Sequence, residues 1–459
     1  MELTQTQWQE IAKMDYTNEG HALAFVELYN GTFHFNTQVG WLKWCGTHWI
    51  QAGADSAVKR AMLNTLAVRR QACATFDLDE KMYKRCKGEM REVRDSLSLV
   101  QSMPSVSLEF DKFDNSVGVL NCKNGVVHLK TGKVEAHHPR QKNTYCLDYN
   151  YDPSANSQLW QEFLNGVGLS DEVQAFLQKA VGYSLTGETS EEVMFYLYGK
   201  PRSGKGTFTE MLALMLGELG SGVNFRSFTS DRHGDTSNFD MAPLKNKRFL
   251  TASESSRFKQ LNTAVIKQIT GGDEIYCSFK RKDHFSYRPL FVLWLTSNWP
   301  INADVDDDAA WGRLMAIFFP NSFLGNEDKT LKIRLKQQAN IEGVLAWAVA
   351  GAMAWYASLP NGLKPPKSVI ETRDSHRAEL DTVGKFLDEC CVVNADIHCQ
   401  GHFLYNSYTD WCARDEGQTP KIRKTFTQSL EQHGILSVTK REVGKVTRVY
   451  TGVGLRAIE

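Results

Sequence analysis

The sequence lacks several features that would assign a protein class directly. Its 53 basic and 53 acidic residues cancel, so no overall field draws the chain to nucleic acid, and such binding has to come from local clusters. No apolar run approaches the roughly 20 residues of a membrane-spanning helix, which predicts no membrane partner. Internal repeats are also missing, which excludes solenoids and propellers. With 459 residues, the chain is long enough for about two to four domains.

The ten cysteines include no Cys-x-x-Cys pair, and no secretory leader precedes them, so we expect reduced thiols inside a cell. His398, Cys399 and His402 lie close to Cys390 and Cys391 in the sequence. Their residue types suit zinc, but their spacing fits no common zinc site. The cysteines therefore predict neither a disulfide framework nor a structural metal.

The first part of the chain has a mainly helical pattern. Apolar residues recur at steps of three and four in residues 54–76, 80–102 and 157–184. Residues 117–138 instead alternate, with hairpin turn signals at Asn124-Gly125 and Thr131-Gly132. We therefore expect a mainly helical N-terminal domain with a small β element over residues 1–185.

From Glu192 the pattern changes to short apolar strands that alternate with helices. The strands read VMFYLYG, RFLTASE and LFVLWLTSN. This order predicts a parallel α/β sheet, whose ligands bind at the carboxyl ends of its strands. We place this α/β domain at residues 186–362, followed by a linker around residues 363–368 and a small separate domain at residues 380–459.

The stretch YLYGKPRSGKGTF nearly matches the phosphate-binding pattern G-x-x-x-x-G-K-[ST], and it lies between a strand and a helix. Backbone N–H groups in such a turn point at phosphate oxygens, and the helix N-terminus adds positive potential. The pattern predicts an ATP site with Mg²⁺. Its predicted nucleotide-binding residues are Gly199, Ser203, Gly204, Lys205, Gly206, Thr207 and Phe208.

Gly206 stands where the magnesium-holding hydroxyl is expected, and Thr207 follows it. The Thr207 hydroxyl could hold Mg²⁺ directly, through water, or not at all. The same Gly-Lys-Gly-Thr order resembles adenylate kinases, so a nucleotide kinase is an alternative. The loop by itself does not separate the two.

Three residues near later strands suit a nucleotide hydrolase. Glu254 ends RFLTASE, where a carboxylate can orient Mg²⁺ and activate water, although Ser253 replaces a common second carboxylate. Asn298 ends LFVLWLTSN and can polarise the attacking water. Arg313 precedes an apolar strand and can act as an arginine finger. Taken singly, each has a structural alternative: a helix cap, a turn residue and a surface ion pair.

Together these motifs resemble superfamily 3 helicases, most closely the phage, plasmid and poxvirus primase-helicase group. The order and spacing of the motifs both agree. The resemblance continues upstream through LNCKNGVVHLKTGKV, HHPRQKNTY and AVGYSLTGETSEE. Many members of the group carry a primase domain further upstream, for which we expect no room in this chain.

The resemblance implies an AAA+-like P-loop ATPase core that forms a homo-oligomeric ring, usually a hexamer. Such rings travel 3′ to 5′ on single-stranded DNA and open forked DNA. Lys205 and Thr207 would bind phosphate and Mg²⁺, Glu254 would bind Mg²⁺ and activate water, Asn298 would sense the γ-phosphate, and Arg313 would reach the neighbour's ATP. The group also implies a cytoplasmic location in a bacterial host or infected cell, and a separate primase or initiator as a partner.

Two further segments suggest DNA contact. FKRKDHFSYRP lies between β-like stretches and carries Lys280, Arg281, Lys282 and His284, which predicts a hairpin with a basic tip that could grip a phosphate backbone. Residues 380–459 resemble the winged-helix tail of the same group. Lys421, Arg423 and Lys424 in that tail could meet phosphates or be ordinary surface charges.

One non-hydrolysing function also remains open at this point. Gly206 and Ser253 both depart from the usual hydrolysis motifs, so the chain could be an ATP-binding, DNA-binding protein with weak or lost hydrolysis. A nucleotide kinase is the weaker alternative, because it needs neither the basic hairpin nor the tail domain.

Overall fold

A computed structural model describes most of the chain. The described residues are 3–78, 80–109, 112–229, 241–254, 260–278, 284–414, 420–442 and 445–456. Within them, no helix is both long enough and apolar enough to cross a bilayer.

The N-terminal region combines helices with a small antiparallel sheet. The helices are α1 Gln5–Lys13, α2 Asn18–Leu28, α3 Ala54–Thr75, α4 Glu80–Lys84 and α5 Met90–Ser102, and the strands are β1 Phe33–Asn36, β2 Gly40–Trp44 and β3 Trp49–Ile50. The helix predicted over 80–102 is wrong in one respect, because Gly88 adopts a φ of 77° and separates α4 from α5. The sequence pattern also missed the sheet, since its strands are short and several of their aromatic residues are only partly buried.

The predicted hairpins of the next segment are confirmed. They are formed by β4 Val119–Cys122, β5 Gly125–His128 and β6 Lys133–Glu135, which pair antiparallel in sequence order. Two helices follow, α6 Gln158–Gly166 and α7 Asp171–Thr186. Gly168, with a φ of 81°, separates them, so the continuous helical pattern over 157–184 becomes two helices.

The expected parallel α/β sheet is confirmed for the described residues. Its strands are β7 Met194–Tyr198, β8 Gly220–Gly222, β9 Phe249–Ser253, β12 Val292–Ser297 and β13 Leu314–Phe318. They lie in the order β13-β7-β12-β9-β8, and every neighbouring pair is parallel. The associated helices are α8 Lys205–Leu216, α9 Thr263–Thr270 and α10 Asp308–Arg313. The β7 and β12 strands are almost fully buried in the centre of the sheet. Because these neighbouring strands are parallel, the chain segments that follow them meet at one edge of the sheet.

Other elements flank this sheet. A hairpin consists of β10 Ile275–Ser278 and β11 His284–Tyr287, and the helices after β13 are α11 Leu331–Leu335, α12 Gln338–Ser358 and α13 Lys367–Leu380. The hydrophobic core on one face of the sheet includes α7 and α12, whereas the other face packs on α9 and the hairpin. The α13 helix begins inside the predicted linker and contacts β13, so this segment is part of the packed structure.

The C-terminal region has the order helix, strand, helix, helix, strand, strand. These elements are α14 Thr382–Cys390, β14 Cys391–Gln400, α15 Gly401–Arg414, α16 Arg423–Gln432, β15 Leu436–Glu442 and β16 Lys445–Leu455. The strands pair antiparallel in the order β14-β16-β15. The sequence pattern missed β14, because only Cys391 in it is buried and no alternation results. Among the described residues, no group of three or more His, Cys, Asp or Glu side chains could hold a metal ion.

Candidate nucleotide-binding site

The phosphate-type loop connects β7 to α8 and depends on two glycines. Gly199 has a φ of 150°, and an added Cβ would lie 2.3 Å from the Phe319 carbonyl oxygen. Gly204 has a φ of 93°, and its Cβ would lie 2.6 Å from a methyl carbon of Val167. Only glycine satisfies both the backbone conformation and the close packing. Because α8 begins at Lys205, its free N–H groups are available at this loop.

Lys205 is buried at the start of α8 and links the loop to a neighbouring strand. Its Nζ donates to the carbonyl oxygens of Gly199 and Lys200 at 2.8 and 3.0 Å and to the Ser203 hydroxyl at 2.9 Å. It also donates to Oδ1 of Asn298 at 3.3 Å. Burial lowers the pKa of Lys205 to about 8. The ammonium therefore sits at the junction of two of the predicted motifs, with neutral oxygens that an anion can replace.

Glu254 follows β9 and is held by groups that the sequence analysis missed. Its backbone N–H donates to the Thr296 carbonyl at 2.8 Å, which extends the pairing of β9 with β12. Its carboxylate oxygen Oε2 accepts from the Ser297 hydroxyl at 2.6 Å and from the Tyr196 hydroxyl at 3.0 Å. Burial raises the pKa of Glu254, while these two hydroxyls oppose the rise. Both donors reach the same oxygen, which leaves Oε1 for other partners.

These side chains open onto one cleft of about 290 Å³. It is lined by residues 201–207, Ser253, Glu254, residues 296–298 and Lys332. Three of the four predicted catalytic residues, Lys205, Glu254 and Asn298, are thus brought together at the carboxyl edge of the sheet.

Lys332 in α11 is a cation of this cleft that the sequence analysis missed. Its Nζ lies 2.7 Å from a carboxylate oxygen of Glu210 in α8. No local motif surrounds Lys332 in the sequence, so the fold alone brings it to the site.

Gly206 and Thr207 determine whether the loop can provide the magnesium-holding hydroxyl that the sequence lacks at position 206. Around Gly206, the nearest heavy atom to an added Cβ is Oε1 of Glu210 at 3.9 Å, so a side chain would fit there. Thr207 lines the cleft, and with Glu254 it provides a hydroxyl and a carboxylate, the oxygen donors that Mg²⁺ prefers. The residues present therefore fit a magnesium ion by their chemistry.

Phe208 does not contribute to the cleft, contrary to its prediction as a nucleotide-binding residue. Its side chain is completely buried and stacks on Trp160, with ring centroids 5.6 Å apart. It anchors α8 in the core, so its effect on the loop is indirect.

Arg313 lies at the other end of the sheet. It ends α10, and the register pairs the next residue, Leu314, with Met194 at the start of β7. The Arg313 guanidinium forms an ion pair with Glu192 and donates to the Ala309 carbonyl at 2.8 Å. Its Nε is buried without a hydrogen-bond partner among the described residues. A five-residue strand spans about 16 Å, so Arg313 is remote from Lys205 within one chain.

The predicted DNA contacts have different outcomes. Lys280, Arg281 and Lys282 lie outside the described residues, whereas His284 begins β11 and is exposed. Lys421 is not available for a phosphate in this structure, because its Nζ forms an ion pair with Asp306 at 2.7 Å.

Arg423 and Lys424, the other two tail residues considered for phosphate contact, are exposed. The Arg423 guanidinium lies over the Tyr405 ring, 5.0 Å from its centroid. Lys424 occupies the first turn of α16 beside it. The surface open to a ligand at this helix is therefore smaller than the sequence indicated.

Comparisons with known proteins agree with the motifs. Residues 22–167 match the family described as "D5 N terminal like", and residues 197–313 match a "Family of unknown function (DUF5906)". The chain is 26% identical over 226 residues to "Putative helicase L207/L206" of Acanthamoeba polyphaga mimivirus, a match that covers 48% of this chain and 24% of that protein. It is 20% identical over 419 residues to "Putative helicase 184R" of Invertebrate iridescent virus 6, covering 82% of this chain and 43% of that protein.

The chain thus spans less than half of the length of these curated relatives. Among solved structures, the apo A form of the "NrS-1 C terminal region-CTR" matches with a TM-score of 0.50 at 12% identity. That match covers 92% of this chain and 95% of the other, and it concerns the fold alone. The likeness of this chain to the superfamily 3 primase-helicase group, which the motifs indicated, is confirmed by the family match and the two viral relatives.

Proposed function

We propose that this protein is an ATP-dependent, ring-forming DNA helicase that acts in the replication of a phage, plasmid or other mobile element. The observation that carries the proposal is the arrangement of four residues. Lys205, Glu254 and Asn298 meet in one cleft, whereas Arg313 lies at the opposite end of the sheet, where a neighbouring copy could use it. This division is the one that a ring ATPase with sites between subunits requires.

Phosphate binding rests on the loop and on Lys205. The N-terminus of α8 and the backbone of residues 199–205 attract the phosphates of ATP. With a pKa of about 8, Lys205 is mostly protonated at neutral pH. A triphosphate would replace its carbonyl partners, Gly199 and Lys200, with anionic oxygens and stabilise the charged form.

Water activation rests on Glu254 and Asn298. The Ser297 and Tyr196 hydroxyls fix Oε2 of Glu254, and the pKa raised by burial makes this carboxylate a better proton acceptor. The Asn298 amide, now hydrogen-bonded to Lys205, would orient the water and contact the γ-phosphate. Mg²⁺ held by Thr207 and Glu254 would neutralise charge on the phosphates.

Arg313 would complete the site of the next subunit. Its guanidinium would leave Glu192 and contact the neighbour's ATP, where it stabilises charge on the transferred phosphoryl group. This role requires a homo-oligomer, and we propose a hexamer with an AAA+-like core.

The same ring would place the β10–β11 hairpins around a channel for single-stranded DNA, and the C-terminal region, whose element order fits a winged helix, would add a second DNA contact. We further propose that the helicase works with a separate primase or initiator. Its location would be the cytoplasm of a bacterial host or infected cell.

The test is ATP hydrolysis by the full chain with and without single-stranded DNA, combined with strand separation on forked DNA. We expect hydrolysis to be stimulated by DNA, and particle mass to increase to that of a hexamer with ATP and DNA. Glu254→Gln should retain ATP binding but lose at least about 100-fold in turnover. DNA binding without hydrolysis would favour the non-hydrolysing alternative, and phosphate transfer to AMP would favour a nucleotide kinase.

A further inference from the structure

The β10–β11 hairpin has two chemically different faces. Ile275, Cys277 and Tyr287 point inward and are buried, and the Tyr287 hydroxyl donates to the Met241 carbonyl at 2.7 Å. These contacts fix the hairpin to the α/β domain. On the opposite face, Tyr276, His284 and Ser286 are exposed, whereas Ser278 is buried, so the strand alternation presents a second, partly exposed surface to solvent.

That outer face holds an ordered aromatic pair. The rings of Tyr276 and His284 are nearly parallel, at 10°, with centroids 5.0 Å apart. The register places them diagonally, because Tyr276 pairs with Ser286 and Ser278 pairs with His284. Tyr276 is nevertheless 62% exposed, so the stack with His284 leaves most of the tyrosine side chain uncovered.

An exposed, pre-ordered aromatic surface suits a flat aromatic ligand. The sequence between the two strands includes Lys280, Arg281 and Lys282, and Arg288 follows the second strand. A ligand that combines flat aromatic groups with negative charge therefore complements this hairpin. Single-stranded DNA has both properties and leaves its base faces accessible, whereas a duplex covers them by stacking.

We infer that Tyr276 and His284 form a stacking platform for the bases of single-stranded DNA. The inference rests on the proposed function and adds a mode of recognition to it, in which the hairpin contacts the bases as well as the phosphates. Stacking on an aromatic ring tolerates any base, so the platform would hold the strand without selecting a sequence.

The test compares two variants at position 276 with the wild-type full chain. The probes are a labelled thymidine oligonucleotide and an abasic oligomer of the same length. Wild type should bind the base-bearing probe more tightly than the abasic one. Tyr276→Leu, which keeps an apolar side chain but no ring, should bind the base-bearing probe about tenfold more weakly and the abasic probe equally well. Tyr276→Phe should match wild type on both probes.

Two further measurements separate stacking from other effects. The dependence of binding on salt should be the same in Tyr276→Leu and wild type, because no phosphate contact is lost. Ser286→Ala, on the same face and directly opposite Tyr276, is the matched control and should bind like wild type.

The platform is disproved if wild type binds both probes equally, or if Tyr276→Leu binds the base-bearing probe as tightly as wild type does. Loss of oligomer assembly in Tyr276→Leu with unchanged binding per subunit would also overturn it and assign the surface to a protein contact. These outcomes leave the proposed helicase function intact. That function fails separately, if wild type neither binds single-stranded DNA nor hydrolyses ATP.

Discussion

The two ends of the central sheet differ in how many of the predicted catalytic residues they bring together. At the carboxyl end, Lys205, Glu254 and Asn298 come from separate parts of the sequence and line one cleft. At the amino end, Arg313 has only Glu192 as an ionic partner among the described residues. The reason is geometric, since all the strands are parallel and the residues that follow them share an edge, whereas a residue that precedes a strand is at the far end. A parallel sheet thus keeps Arg313 away from the cleft of its own chain, which is the placement that the proposed finger role requires.

The largest effect is expected at the carboxyl end of the sheet, where the cleft lies. Lys205→Ala should abolish ATP binding, hydrolysis and unwinding, because it removes the cation that reaches both the loop and Asn298. Nucleotide titration and phosphate release measure this. Lys200→Ala is the matched control, since that lysine lies in the same loop with an exposed side chain and should keep most of the activity. Unchanged hydrolysis in Lys205→Ala would refute the site assignment.

The next largest effect concerns Arg313 at the amino end of the sheet. Arg313→Ala should keep ATP binding but lose about 10³-fold in turnover, because the finger acts only in the transition state. Mixing it with Lys205→Ala is the decisive measurement. In mixed rings, a Lys205→Ala subunit can supply its Arg313 to the site of a neighbouring Arg313→Ala subunit, which still has Lys205. Such a site has both residues, so part of the hydrolysis should return.

Glu192→Gln is the control for this experiment, because it removes the ion pair and keeps the arginine. It should retain turnover. If the mixture of the two inactive variants regains nothing while each still assembles, Arg313 does not act between subunits, and the contrast between the two ends has no functional meaning.

A smaller effect tests the loop hydroxyl. Thr207→Ala should lower the apparent affinity for Mg²⁺ in hydrolysis by up to about 100-fold, since it removes the only hydroxyl directly after Gly206. Adding Gly206→Ser to this variant should recover part of the loss, because a side chain fits at position 206. Titration of hydrolysis with Mg²⁺ measures both. An unchanged Mg²⁺ dependence in Thr207→Ala would show that the hydroxyl is not a ligand.

The smallest effect is a dependence on pH. Because burial lowers the pKa of Lys205 to about 8, the ammonium loses its proton as the pH rises through that value, and only the protonated form attracts phosphate. ATP affinity should be nearly constant below about pH 7 and fall by about tenfold per pH unit above pH 8. Lys205→Arg stays charged in this range and should show no such fall. A flat profile in wild type would contradict the lowered pKa.

Much of the candidate site could be predicted because its signals are local. The loop from Gly199 to Thr207 is contiguous, and Glu254 and Asn298 each end a recognisable strand. Tyr196 was missed because it belongs to an apolar strand and reads as core. Its buried hydroxyl needed a partner, which is a signal that could have drawn attention to it.

The elements of the fold can likewise be divided into those that the sequence predicted and those that it did not. Strands with a continuous apolar core, such as β7 and β12, were predictable, and so were hairpins with Asn-Gly or Thr-Gly turns. The short strands β1 to β3 were not, because they are too short for a clear alternation and several of their aromatic residues are only partly buried. The exposed strand β14 was not, because its partner β16 is distant in sequence. The sequence left Lys421 open between a phosphate contact and a surface charge for a related reason, since its partner Asp306 is distant in sequence.

The sequence by itself determined the chemistry of the loop, the succession of the main apolar strands along the chain and the resemblance to a helicase group, because each depends on neighbouring residues whose spacing is fixed by the chain. The tertiary structure alone decided which groups surround that chemistry. It brought Lys332 and Ser297 to the cleft, placed the buried Tyr196 hydroxyl on Glu254, and kept Arg313 away from the cleft. Contacts of this kind depend on the packing of segments far apart in sequence, and no local pattern records them.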